Sequence, residues 1–164
     1  MTSPDTDVTL EDIANLSDMF YIGGTKCGAL LGEALVITNE SLKKDFRYII
    51  KEHGALLAKG RLLGIQFDVL FEDNLYFTIC KQAVDYSIAI RKAFEAKGIQ
   101  MWGDSSTNQQ FAILTDEQME TLGKKYAYQD WERYDDTHTV VRFCTSWGTK
   151  EENVQALIED IAKL

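Results

Sequence analysis

A lysine set among small residues, directly after an apolar stretch, is the most informative chemical feature of this sequence: Tyr21-Ile22-Gly23-Gly24-Thr25-Lys26-Cys27-Gly28. A neutral lysine amine forms a Schiff base with an aldehyde, and burial favours the neutral form by disfavouring the ammonium. The surroundings of Lys26 read as suited to a buried amine of that kind. The glycines leave space for a flat ring, and the Thr25 hydroxyl can serve either a phosphate or the loop backbone. Spacing alone favours an ordinary surface turn, which Gly-Gly-Thr-Lys also describes. A phosphate-binding P-loop is excluded, because the GxxxxGK[ST] spacing is missing and Cys27 follows the lysine. Arg142, in the apolar run Thr139 to Thr145, reads from its surroundings as an ion-paired strand residue.

The other reactive side chains make no site by themselves. Cys27, Cys80 and Cys144 lie far apart without CxxC spacing, and with two histidines they form a poor metal set, so they read as reduced structural thiols and no metal is expected. His53 closes a helical stretch and His138 adjoins a turn, neither within the nucleophile and carboxylate pattern of a triad. With 26 acidic and 17 basic residues, the formal charge of −9 argues against nucleic acid or an anionic membrane surface as partner, since both attract clustered Lys and Arg. Small metabolites and proteins remain. No apolar run approaches the roughly 20 residues that span a bilayer. Met1-Thr2-Ser3-Pro4-Asp5 lacks the basic and apolar regions of a secretory signal, so the expected compartment is the cytoplasm.

The elements that must position Lys26 and Arg142 follow from patterning. Thr9 with Asp12 signals a short helix over 10–16; Met19 to Ile22 and Ala34 to Ile37 read as strands, the second covered on both faces, and as sheet neighbours. Helices are expected from Asn39 to His53 and from Ala55 to Phe71, where Gly60 and Gly64 call for close packing or a ligand. A long helix from Leu75 to Lys97 carries Ile79, Ala83, Tyr86, Ile90 and Phe94 on one stripe and stops at Gly98. Short strands then follow at 99–102, 109–114, 126–134 and 139–145, with a helix over 115–124 and a last helix from Thr149, capped with Glu152. The chain therefore reads as α/β, with a helical connector over 55–97 and a small α+β domain over 98–164.

Three segments carry a resemblance to a known family. Phe20 through Ile37, FYIGGTKCGALLGEALVI, is similar to the segment around the cofactor lysine of threonine aldolases and related β-eliminating lyases, within the fold-type-I pyridoxal-phosphate enzymes. The similarity continues, in the expected order, through Ala58-Lys59-Gly60-Arg61-Leu62-Leu63-Gly64-Ile65-Gln66-Phe67 and Val141-Arg142-Phe143-Cys144-Thr145-Ser146-Trp147. The resemblance implies part of the fold-type-I architecture, in which residues 1–54 end the large cofactor-binding domain. It implies that Lys26 holds pyridoxal 5′-phosphate and that Arg142 grips the α-carboxylate of an amino-acid substrate, a task suited to the planar guanidinium fork. Lys59 and Arg61 fall where such dimers face the neighbouring active site. Either can reach a cofactor phosphate across a homo-oligomer interface, or simply belong to a solvated helix face.

The resemblance also places the first half of the family fold before Met1: the ring that stacks on the cofactor, the aspartate at the pyridine nitrogen and most of the phosphate site. The expectation is a carboxy-terminal part of a lyase, excised, truncated or split with a separate upstream half. It would act on a β-hydroxy amino acid to give glycine and an aldehyde, or by β-elimination. The alternative is a non-catalytic remnant or interaction module that binds no cofactor.

Overall fold

The hydroxyl of Thr9 accepts the backbone N–H of Asp12, while the Asp12 carboxylate accepts that of Thr9 at 2.8 Å, and this reciprocal cap begins α1 (Leu10–Leu16). The chain then forms an antiparallel hairpin of β1 (Met19–Gly23) and β2 (Glu33–Ile37), with Tyr21 opposite Leu35. The expected pairing of the two strands is present, but β2 is not covered on both faces. Met19, Tyr21 and Leu35 are exposed, because only the face carrying the buried Ile22 is packed. These elements belong to the computed structural model, which describes all 164 residues.

The helix expected from Asn39 to His53 divides into α2 (Glu40–Lys43) and α3 (Phe46–Glu52). Asp45, at the break, takes a left-handed φ of 57°, a conformation that Asp tolerates better than most side chains. The next helix, α4 (Arg61–Phe71), begins six residues later than expected, since residues 55–57 are irregular and 58–60 form a turn in which Gly60 N–H donates to the Leu57 carbonyl. Of the two glycines, Gly64 lacks the close packing, since it faces open space, whereas Gly60, just before the helix, has it: a β-carbon there would lie 3.3 Å from the Leu57 carbonyl oxygen. A 3-10 turn, Glu72–Asn74, leads into α5 (Leu75–Ala96), which ends where Gly98 takes a φ of +80°. Ile99 N–H then donates to the Phe94 carbonyl.

Three antiparallel strands follow in the order β3 (Gln109–Thr115), β5 (His138–Cys144), β4 (Gln129–Arg133). The run 99–102 is not a full strand; it contributes a bridge between Met101 and Ala112. One sheet face, with Ala112, Leu114, Val141 and Phe143, packs on Ile90 and Phe94 of α5, Leu122 of α6 (Asp116–Gly123), and Val154, Leu157 and Ile161 of α7 (Glu151–Ile161). Each fully buried aliphatic or aromatic side chain here contributes about 1.5–3 kcal/mol of transfer free energy. The cap expected at Thr149 is absent: α7 starts one turn position later from Lys150, and the Thr149 hydroxyl instead accepts the N–H of Ser146. Contacts divide the chain into two compact units, Thr6–Ile79 and Cys80–Leu164, the latter joined by Thr2–Asp5. The division falls inside α5, whereas patterning places limits at 54/55 and 97/98. No helix is long and apolar enough to cross a membrane.

Asp160 of α7 accepts from Lys125 Nζ at 2.8 Å, Lys163 Nζ at 2.9 Å and the Tyr126 hydroxyl at 2.8 Å. These donors, Lys125 first, hold its carboxyl well below the usual carboxylate range. A depressed folded pKa stabilises the native state fully above about pH 4, where the unfolded aspartate is ionised, and the contribution is lost as pH falls towards the folded value. Thermal melts taken from neutral to acid pH should therefore show a falling Tm for the native chain. Asp160→Asn should lower the neutral Tm and flatten the acid slope; an unchanged slope would remove this triad from the account.

Candidate functional site

Lys26 stands on a turn of residues 25–28 that leaves β1 at Gly24. The foundation of this turn is rigid. Cys27 N–H and Ala29 N–H both donate to the Gly24 carbonyl at 2.9 Å, and the Tyr76 hydroxyl of α5 donates to the Gly23 carbonyl at 3.0 Å. Gly24 itself is buried, and a β-carbon there would lie 2.7 Å from Ala29 Cβ and 2.8 Å from Phe67 Cζ. From α4 the Gln66 amide reaches the far end of the loop: its oxygen accepts Leu30 N–H at 2.6 Å, and its nitrogen donates to the Leu62 carbonyl at 2.9 Å.

The top of the turn differs from the reading of a buried amine. Thr25 and Lys26 are both exposed, and the buried members of the loop are Gly24 and Ala29 beneath them. The reason is packing: α4 and the start of α5 support the loop through its backbone ends, and no element of the unit lies over the turn. Thr25 and Lys26 are thus brought together on one fixed turn. Arg61 belongs to the same unit as the exposed first residue of α4, and neighbouring Lys59 is exposed as well. These two cations sit at the positive end of the helix dipole, an electrostatically unfavourable place unless an anion is near.

Arg142 lies in the second unit, on the middle strand, with Phe111 and Gln129 as its cross-strand partners. It is not ion-paired, contrary to the reading from its strand surroundings. Nη1 donates to Gln109 Oε1 at 3.0 Å and Nη2 donates to Gln129 Oε1, while Nε is buried without a hydrogen-bond partner. The Trp131 ring lies 5.1 Å from the guanidinium carbon. Gln66, Gln109, Gln129 and Trp131 were not legible as site residues, since a glutamine's role depends on what its amide meets across the fold. His138 instead joins the turn at Asp135, with Nδ1 2.9 Å from the carboxylate. Asp135 is held down to about 2, chiefly by the Thr137 N–H and then by His138.

No protein-family model matches the chain. A low specificity L-threonine aldolase from Pseudomonas sp. (strain NCIMB 10558) is 29% identical over 151 residues, which cover 88% of this chain and 41% of that protein. A solved threonine aldolase from Leishmania major superposes with a TM-score of 0.93 at 42% identity, over 99% of this chain and 47% of the other. The chain is homologous to threonine aldolases. It spans less than half of the length of those it matches and corresponds to their carboxy-terminal part. A Sphingomonas wittichii serine palmitoyltransferase shares the fold alone, with a TM-score of 0.56 at 11% identity over 82% of this chain and 36% of its own. The expected partial fold-type-I architecture is therefore present.

In this threonine aldolase homologue two glycines should respond oppositely to a methyl group. Gly24→Ala should destabilise by about 1–3 kcal/mol, because Ala29 and Phe67 must move. Gly64→Ala, in a helix and facing open space, should stabilise by about 0.5–1 kcal/mol. Urea denaturation followed by circular dichroism measures both; equal effects would contradict the close approach at Gly24.

Proposed function

We propose that this chain supplies the cofactor lysine and the carboxylate grip of a pyridoxal-phosphate-dependent lyase that cleaves β-hydroxy amino acids. The observation that carries the reading is the fixed small-residue turn presenting Lys26, in a chain homologous to threonine aldolases over nearly its whole length. Lys26 offers the amine that would hold the cofactor's aldehyde. Thr25, beside it, and Arg61, acting across a homo-oligomer interface, are the candidate phosphate contacts. The residues present fit that cofactor in one respect: Lys26 is exposed at the top of the turn with the Thr25 hydroxyl beside it, whereas the space at Gly24 is filled by Ala29 and Phe67. When bound, pyridoxal phosphate supplies the electron sink for the charge left at the α-carbon.

Arg142 would hold the substrate by its α-carboxylate, fixing which bond at the α-carbon stands ready to break. Its uncommitted charge suits that role, since both terminal nitrogens meet neutral amides rather than a carboxylate. For a β-hydroxy amino acid the broken bond is Cα–Cβ, and the products are glycine and an aldehyde. A β-elimination is the close variant. An inert remnant or interaction module is the weaker reading, because such a module has no use for a braced lysine turn.

The test compares the chain alone with the chain extended by the part of the Leishmania major aldolase that it does not cover. Each is mixed with pyridoxal phosphate, reduced with borohydride and peptide-mapped. The extended protein should gain visible absorbance and carry the label on Lys26, and Lys26→Ala should lose both; the chain alone should label weakly, since an exposed lysine adduct hydrolyses freely in water. Labelling of other lysines with Lys26 untouched would overturn the assignment.

A further inference from the structure

The side chains around Arg142 treat its charge differently from that of the other arginines in the same unit. Arg91 pairs with Glu95 and Asp104, and Arg133 pairs with Asp116. Arg142 meets only neutral groups: the amide oxygens of Gln109 and Gln129 at its two terminal nitrogens and the Trp131 ring 5.1 Å from its centre. Trp131 is in turn braced edge-on by Phe111, with ring centroids 5.2 Å apart and planes at 70°. Phe111 also contacts Trp102 at 5.8 Å.

We propose that Gln109, Gln129 and Trp131 are positioning residues that hold the Arg142 guanidinium in place without neutralising it, so that an incoming carboxylate displaces the glutamine oxygens and takes both edges of the fork. This inference rests on the carboxylate role of Arg142 given above. The physical basis is a difference in acceptor strength. A hydrogen bond from guanidinium to a neutral amide oxygen is weaker than one to a carboxylate, in which both partners are charged. A resident glutamate at either position would hold the fork permanently, whereas a glutamine holds it until an anion arrives. The aromatic face attracts the cation through its quadrupole and leaves the net charge intact. Phe111 keeps that face in position. The buried Nε without a partner is a further donor left uncommitted by this arrangement.

The test uses the full chain and follows the guanidinium resonances of Arg142 by NMR during titration with acetate and with L-threonine; Arg142→Lys identifies the signal. The native chain should show a saturable shift. Gln129→Glu should weaken binding by about tenfold or more, because the internal carboxylate occupies the fork, and Gln129→Ala should weaken it by about threefold, because the fork loses one of its two amide braces. Trp131→Ala should weaken it by about threefold, and Trp131→Phe should restore it. All residues of β4 are exposed, so these substitutions leave the core intact. If Gln129→Glu binds like the native chain, or Trp131→Phe is as weak as Trp131→Ala, the positioning role fails while Arg142 keeps its own. If the native chain gives no saturable shift, the carboxylate grip of Arg142 fails, and the positioning role with it.

Discussion

At Gly24 the backbone passes so close to Ala29 and to the ring of Phe67 that any side chain would have to displace one of them. The first unit is arranged around that approach. The Gly24 carbonyl gathers two backbone N–H groups from the following loop, and Gly23 is tied to Tyr76 at the start of α5. Gln66 fastens the far end of the loop from α4. Phe67, Phe71 and Tyr76 form a chain of ring contacts beneath it, with centroids 6.4 Å and 5.3 Å apart. A loop fixed at both ends from below can present one long side chain at a defined point above, which is what a lysine that must meet a cofactor requires.

The second unit solves a separate problem, that of keeping a guanidinium charged and in place. Its inner sheet face and three helices form an apolar core, with Phe94, Ala112, Leu114, Val141 and Ile161 fully buried. Such a core makes the middle strand rigid, and a rigid strand fixes the outward side chain of Arg142. Around Arg142 the outer face supplies an aromatic ring and two amides as contacts instead of a carboxylate. This distribution matters in a chain with a charge of −9, where acidic partners are plentiful.

Patterning made legible what depends on local rules. The cap at Thr9, the hairpin strands, the stop at Gly98 and the stripe of α7 each follow from neighbours within a few residues. The break at Asp45 was hidden because either backbone conformation suits that residue, and the late start of α4 because Ala55 to Leu57 have the residue types of a helix although they form irregular chain. Thr149 carries the composition of a helix cap, but its hydroxyl serves the preceding turn. At the site, Lys26 and Arg142 stood out through family resemblance, whereas the glutamines that brace them did not. Their partners lie 33 to 36 residues away for Gln109 and Gln66, a distance no local pattern encodes.

The central claim is that residues 23–32 form a braced platform for Lys26 within this chain itself. Residue-resolved amide hydrogen exchange on the native chain measures it directly. The account predicts slow exchange at Cys27, Ala29 and Leu30, whose N–H groups are bonded to Gly24 and Gln66, and fast exchange at exposed Thr25 and Lys26. Exchange throughout 24–31 at the rate of an unprotected chain would contradict it.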